Sequence, residues 1–454
     1  IVCYLCDKCS FMKNILLFGA GKSAFTLVKY LVEESLENGW TLTIADLNAS
    51  SWKKWYDTDQ VELLDFNMEN DALKNNLIEK SNLVISMLPA FLHPQIAKSC
   101  LHYAKNLITP SYISPEMKAF DEEAKSKGLL FLNEMGLDPG IDHMSAMKLI
   151  NNLKGRGCVI EGFESFTGGL IAPESDTNPW HYKFTWNPKN VVLAGQGPAV
   201  KFLHNGKYKY IPYNKLFDRT EIVNIPGYGD FEGYANRDSL KYIDIYGLQG
   251  IKTMYRGTFR KPPFCKAWHV LVQIGATDDT YVIEDSENMT YREFINTFLK
   301  YREKDSVEMK LAYYLGKDVD GEELRLLEWL GLFDNKLIGL KKATPAQILQ
   351  QLLEEKWALE KGDKDMIVMW HLLNYVENGV QKRLESSMIV IGDDEFNTAM
   401  AKTVGYPIGI AAKNILNGTI KAKGVCLPIE ATIYEPVLKE LEVLGISFVE
   451  SGDL

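Results

Sequence analysis

Short, unbroken apolar runs alternate with segments of helical spacing along the first third of the chain. Asn14-Ile15-Leu16-Leu17-Phe18 is the first run and is followed by Phe25 to Val32 at helical spacing; the pattern returns at Trp40 to Ala45, Leu83 to Leu88, Asn106 to Thr109 and Leu129 to Leu132. Continuous rather than alternating apolar character marks strands covered on both faces, which predicts a parallel sheet between layers of helix. Beyond residue 150 the pattern changes. Residues 159 to 290 read as strands and long loops rich in glycine and aromatics, among them Phe163 to Leu170 and Ala267 to Ile274, and 291 to 362 read as helices, as in Glu323 to Leu330 and Pro345 to Leu353. A hairpin then joins Met366 to Tyr375 with Gln381 to Gly392 through Glu377-Asn378-Gly379 and is expected to rejoin the middle sheet. The helix Asn397 to Val404 and the tail to Leu454 are expected to pack back on the first domain.

The first strand-to-helix junction carries chemistry. Gly19-Ala20-Gly21-Lys22-Ser23-Ala24 is G-x-G-x-x-A: Gly19 permits a tight turn, Gly21 lets a pyrophosphate approach the backbone, and Ala24 lets the helix pack on the sheet with its N-terminus toward the phosphates. The second strand ends in Asp46, placed to accept hydrogen bonds from the adenosine ribose and to repel a 2′-phosphate, so NAD is favoured over NADP. A cap or turn role for Asp46 is the weaker reading. Met87, Leu88 and Pro89, in the loop after the Leu83 run, are candidate cofactor contacts, whereas His93 reads as a surface helix residue. Ser111 and Tyr112 offer two hydroxyls at the next strand end, and the phenol could hand on a proton.

After Leu129 to Leu132 comes Asn133-Glu134-Met135-Gly136-Leu137-Asp138-Pro139-Gly140-Ile141-Asp142-His143, three carboxylates around one glycine-rich turn, with Asp142 a candidate helix cap. In open α/β sheets ligands sit beyond the carboxyl ends of the strands, which makes this turn the first candidate for a site. Arg237, Arg256 and Arg260 follow in loop-rich sequence. Their planar forks match carboxylates bidentately and point to a substrate bearing several of them.

Composition narrows the setting. The 454 residues allow two or three domains, and a balance of 50 basic against 60 acidic residues, net −10, argues against nucleic acid or anionic lipid as partner. No apolar run reaches a membrane span and the start has no secretory pattern, so a cytoplasmic location is expected. Cys100, Cys158, Cys265 and Cys426 read as small buried hydrophobes, and Cys3, Cys6 and Cys9, although spaced like metal ligands, lack a fourth partner, so no metal is expected. Residues 1–11 read as an upstream extension or an early translation start.

Gly136 to His143, Gly168-Gly169-Leu170-Ile171-Ala172-Pro173-Glu174-Ser175, Tyr182-Lys183-Phe184-Thr185-Trp186, Asn236-Arg237-Asp238-Ser239 and Arg256-Gly257-Thr258-Phe259-Arg260 resemble, in order, the glutamate-forming saccharopine dehydrogenases, also called saccharopine reductases, over about residues 13 to 446. The resemblance implies an α/β protein: a Rossmann-type dinucleotide-binding domain at 12–138, completed by 393–454; a mixed α/β substrate and dimerisation domain at 139–290 with 363–392; a helical insertion at 291–362; and a homodimer. It implies hydride transfer between a nicotinamide cofactor and saccharopine, a secondary amine with three carboxylates, through an imine. Ser111, Tyr112, Asp138, Arg237, Thr258, Phe259 and Arg260 would contact saccharopine, with Thr167 and Trp186 beside them. Leu137, Asp138 and Pro139 would border the cofactor, and Asp138 with Tyr112 would handle protons. Thr167 replaces a cysteine of fungal members, so no thiol role carries over. Those members use NADP, which keeps NADP possible here, but Asp46 favours NAD. A dehydrogenase of a polyamine adduct, of the carboxyspermidine type, would leave Arg237 and Arg260 without matching partners. A non-catalytic sensor would bind NAD without turnover.

Overall fold

Residues 13–452 are described by a computed structural model, so Cys3, Cys6 and Cys9 lie outside the described residues. The chain divides into two compact units, one of residues 1–152 with 396–447 and one of 153–395 with 448–454.

The first unit is built on a parallel sheet whose strands are β1 (Asn14–Phe18), β2 (Thr41–Asp46), β3 (Val61–Asp65), β4 (Leu83–Ser86), β5 (Asn106–Ile108) and β6 (Leu130–Leu132). Their spatial order is 6-5-4-1-2-3, with the late strand Gly424–Cys426 added beside β6. Ile15 to Phe18 and Leu83 to Ile85 have no exposed surface, as strands covered on both faces require. The order reverses between β1 and β4, which opens a crevice at their carboxyl ends.

The helix Phe25–Asn38 stops at Gly39, whose left-handed conformation lets its N–H reach Ser35 O. The helix Ala399–Leu416 packs against it at two glycines: a Cβ on Gly405 would lie 2.6 Å from Leu27 N, and one on Gly409 would lie 2.5 Å from the Tyr30 ring. Those glycines explain how a segment so distant in sequence joins the first unit.

The second unit holds a mixed sheet. Its strands are β7 (Val159–Ile171), β8 (Val200–His204), β9 (Lys207–Ile211), β10 (Thr220–Ile225), β11 (Gly229–Ala235), β12 (Thr253–Arg260), β13 (Asp365–Glu377) and β14 (Val380–Ile391). They run in the order 10-11-12-7-13-14, followed by the strand Val449–Gly452, with the β8–β9 hairpin set against β12. β7 and β12 are parallel, and β13 pairs antiparallel with both β7 and β14. Asn378 and Gly379, both at positive φ, form the two-residue turn of the expected hairpin. The Phe166 ring lies flat over β11 and β12, where a Cβ on Gly233 or Gly257 would come within 2.5 and 2.1 Å of it.

Several expectations change. The boundary drawn at 138 falls at 152, because the acidic turn runs directly into the helix Ile141–Gly155, most of which stays with the first unit. The tail is divided, its last strand pairing with β14. Residues 291–362 are not a separate unit: Leu326, Leu349 and Trp357 share one buried core with Trp180, Phe264 and Trp268, and Trp180 Nε1 donates to Leu326 O at 3.0 Å. Ala267 to Ile274, read as strand, lies in the helix Phe264–Ile274. Its residues are apolar on nearly every side, so they show no alternation, and Gly275 at positive φ ends the helix. Cys100, Cys158 and Cys265 are buried, but Cys426 is only half-buried, near the end of the sheet's edge strand.

Candidate functional site

In the first unit the predicted cofactor residues gather at the carboxyl ends of β1, β2 and β4. Gly19 N–H donates to Ala45 O at 3.0 Å and Met87 N–H to Phe18 O at 2.8 Å, so the three strand ends are tied together. Gly19 is at φ +86 with room for no side chain, since a Cβ would stand 3.1 Å from the Met87 carbonyl. A Cβ on Gly21 would instead meet open space, and no side chain caps the turn Lys22–Ala24 that begins there. Open approach and an uncapped helical start suit a pyrophosphate, so the turn fits a dinucleotide. Ser23 is half-buried and Ala24 buried under the helix; Met87 and Leu88 are half-buried and Pro89 exposed. Asp46 accepts from Ala20 N–H at 2.8 Å through one oxygen and from Asn48 N–H at 3.0 Å through the other. Its charge is thereby fixed at the end of β2.

Next to β4 and β5 lies a network the sequence reading missed. His93, taken for a surface residue, is 2% exposed. Its Nδ1 meets Ser86 Oγ at 2.9 Å, and its Nε2 meets Ser111 Oγ at 2.8 Å and Thr109 Oγ1 at 2.9 Å. Burial pushes its pKa down to about 4, so the ring is neutral near pH 7. The available signal was a hydroxyl at the end of each of two neighbouring strands with a histidine opening the helix between them.

The acidic turn is stitched to the β5 loop. Glu134 N–H donates to Ser111 O at 3.2 Å, and the Glu134 carboxylate takes Ile113 N–H at 3.0 Å on one oxygen and pairs with His143 Nε2 at 2.8 Å on the other. Glu134 thus holds the backbone on both sides of Tyr112, whose hydroxyl donates to Asp138 Oδ1 at 3.2 Å. Ser111, Tyr112, Asp138 and Pro139 are half-buried and Leu137 is buried. Gly140 is required by closeness, because a Cβ there would lie 1.9 Å from Gly136 O. Asp142 is not the helix cap: it is the second residue of the helix and reaches back to Gly140 N–H at 2.6 Å. A half-buried phenol on a carboxylate can store and pass a proton at this edge.

The predicted substrate residues of the second unit separate into two groups. Arg237 is exposed, at positive φ, and Trp186 is exposed. Thr167, Thr258 and Arg260 share one face of the sheet: Thr167 on β7 stands opposite Thr258 on β12, and Arg260 follows two residues later. Phe259 is buried on the opposite face against Phe166. Arg260 is buried against the rings of Tyr182, Tyr234 and Phe264, and Arg256 lies 4.0 Å from the Tyr242 ring. Among the described residues no cluster of His, Cys, Asp or Glu has the makings of a metal site.

Residues 15–132 match the saccharopine dehydrogenase NADP binding domain and 136–446 the saccharopine dehydrogenase C-terminal domain. The chain is 34% identical over 453 residues to the mitochondrial alpha-aminoadipic semialdehyde synthase of Rattus norvegicus, covering 96% of this chain and 47% of that protein. It is 32% identical over 450 residues to saccharopine dehydrogenase (NADP(+), L-glutamate-forming) of Schizosaccharomyces pombe, covering 97% and 99%. The structure of apo saccharopine dehydrogenase (L-Glu forming) from Saccharomyces cerevisiae superposes with a TM-score of 0.87 at 30% identity, covering 97% and 100% of the two chains. The chain therefore spans about half the length of its mammalian relatives and nearly all of the fungal ones. With both domains matched end to end, the chain belongs to the saccharopine dehydrogenase family.

Proposed function

We propose that the protein interconverts saccharopine with L-glutamate and 2-aminoadipate 6-semialdehyde. The observation that carries this reading is the Tyr112–Asp138 hydrogen bond at the carboxyl edge of a dinucleotide-binding sheet, a phenol on a carboxylate that can handle a proton. A bound nicotinamide supplies the hydride acceptor or donor. In the oxidative direction Asp138, with Tyr112 as its relay, takes the proton of the secondary amine as the ε-carbon of the lysine-derived portion gives up hydride. Water then adds to the imine, and the same pair returns a proton to nitrogen as the C–N bond breaks, releasing glutamate and the semialdehyde. Glu134 and His143 hold the Tyr112 loop, and His93 orients the Ser111 hydroxyl toward a polar substrate group.

For the cofactor, the names of the matched domain and of the fungal relatives specify NADP, while a carboxylate, Asp46, held by the Ala20 amide, stands at the end of β2. We infer a preference for NAD from that charge. Mixing the protein with saccharopine and either cofactor while following the reduced nicotinamide tests both parts: turnover with saccharopine supports the reaction, and faster turnover with NAD supports Asp46. Binding without turnover, or turnover of a polyamine adduct alone, overturns it. A homodimer and a cytoplasmic location belong to the same proposal; sedimentation checks the first and fractionation of the source cells the second. Among the described residues no helix is long and apolar enough to cross a membrane.

A further inference from the structure

Tyr112 and Asp138 lie on separate loops, so the 3.2 Å bond between them is only as fixed as the two backbones that carry it. On the Tyr112 side the Glu134 carboxylate takes Ile113 N–H at 3.0 Å and the Glu134 N–H reaches Ser111 O at 3.2 Å. On the Asp138 side another buried acidic residue makes a matching pair of ties. Asp142 is 1% exposed; its N–H donates to Leu137 O at 3.1 Å and its Oδ1 accepts from Gly140 N–H at 2.6 Å, so it grips the chain just before Asp138 and again just after Pro139. Within that grip Gly136 N–H donates to Pro139 O and Ile141 N–H to Gly136 O, both at 2.9 Å, and Asp138 lies inside the segment they close.

An acidic residue at a helix start ordinarily serves the helix, by capping its amides or by facing the positive end of its dipole. Asp142 is in the first turn of the helix Ile141–Gly155, but the Gly140 amide lies behind it, in the loop that carries Asp138. Taking a carboxylate out of water is costly, and part of the return here is a short charge-assisted bond that stiffens this loop.

We propose that Asp142 is a positioning residue of the reaction, holding the Asp138 carboxylate against the Tyr112 hydroxyl as Glu134 holds the hydroxyl. The role rests on the saccharopine reading only for which reaction the pair performs. Proton-handling groups must stay within about 0.5 Å of their productive position, so loosening the Gly140 tie costs turnover more than binding.

Asp142→Ala and Asp142→Asn in the full chain test this. Asp142→Ala removes the acceptor: kcat for saccharopine oxidation falls about 10- to 100-fold while KM stays within about threefold, and the solvent deuterium isotope effect on kcat grows as proton transfer becomes slower. Asp142→Asn keeps an oxygen for the Gly140 amide and recovers most of that loss. A readout independent of turnover is the Tyr112 resonance in protein isotopically labelled at the tyrosine hydroxyl carbons, identified by its loss in Tyr112→Phe. It moves in Asp142→Ala toward its place in Asp138→Ala, and stays at the wild-type position in Asp142→Asn. A residue that only stabilises the helix would lower the unfolding temperature of Asp142→Ala and leave the isotope effect and the resonance unchanged, and that result overturns the proposal. An Asp142→Asn as impaired as Asp142→Ala overturns it too, since the effect would then belong to the charge and not to the bond. Should Asp142→Ala fail to fold, Asp142→Ser, whose hydroxyl stops one bond short of the Oδ1 position, is judged by the same criteria. If the wild type does not oxidise saccharopine but the resonance moves as stated, the positioning stands and the proposed reaction falls. If it does oxidise saccharopine and the resonance stays in place in Asp142→Ala, the reaction stands and the positioning falls.

Discussion

At the carboxyl edge of the first unit's sheet the polar groups already hold one another: His93 is bonded to three hydroxyls, Tyr112 donates to Asp138, and Glu134 ties His143 to the Ile113 amide. On the face of the second unit's sheet Arg260 and Thr167 are equally buried, but the Arg260 Nε and the Thr167 hydroxyl have no hydrogen-bond partner among the described residues. The difference separates two ways of preparing a site. A preformed network fixes the position of groups that must move protons, since catalysis depends on geometry held in advance. Unmet buried donors instead leave binding energy for a ligand that can satisfy them, at a standing loss of stability.

Changing a residue of each kind should give opposite kinetic signatures. Asp138→Asn keeps the shape and the bond to Tyr112 but removes the base; kcat for saccharopine oxidation should fall by about 10²–10⁴ with a much smaller change in KM. Steady-state rates across pH check this, and a kcat within a few-fold of wild type would take the proton away from this pair. Arg260→Ala should act on binding: the KM for saccharopine rises by an amount corresponding to roughly 2–5 kcal/mol, while that for the cofactor stays. Equal changes for both ligands would mean that Arg260 supports the fold and not a carboxylate.

The same contrast governs what could be read from the sequence. β1, β2, β4, β5 and β6 were legible because buried parallel strands are continuous apolar runs, and the Gly19 turn because its left-handed φ and crowding favour glycine; β3, a partly exposed edge strand with no such run, went unread. The pairing of Tyr112 with Asp138 was within reach, since both follow ends of adjacent strands. Ala267 to Ile274 was not, because an apolar run on every side fits either period. His93 was hidden because its burial depends on hydroxyls from two other strand ends, and the merging of residues 291–362 into the second unit depends on indole and leucine contacts that no local pattern announces.

The preformed network of the first unit can be sharpened by pH. His93 titrates at about 4 in the folded protein against an ordinary 6.5, because burial disfavours its charged form. The unfolded chain therefore takes up the proton first. Stability from the neutral ring is fully present above pH 6.5 and is lost as pH falls toward about 4, by roughly 3 kcal/mol if His93 acts alone. Chemical denaturation at a series of pH values should show this slope in wild type and a shallower one in His93→Gln, which cannot titrate. An identical slope in both would place the acid sensitivity elsewhere.

The smallest expected effect concerns Asp46. Its carboxylate accepts from Ala20 N–H and Asn48 N–H, so plain truncation would disturb the phosphate turn together with the charge. Asp46→Asn keeps one acceptor for the Ala20 amide and removes the negative charge; adding Leu47→Arg at the exposed neighbouring position supplies a partner for a 2′-phosphate. Two charges a few ångströms apart near a surface interact by about 1–4 kcal/mol, so the ratio of kcat/KM for NADP to that for NAD should rise on the order of tenfold or more in the double variant, and less in the single one. An unchanged ratio in both would mean that Asp46 serves only to fold the turn, and cofactor choice would then follow the NADP of the fungal relatives' names.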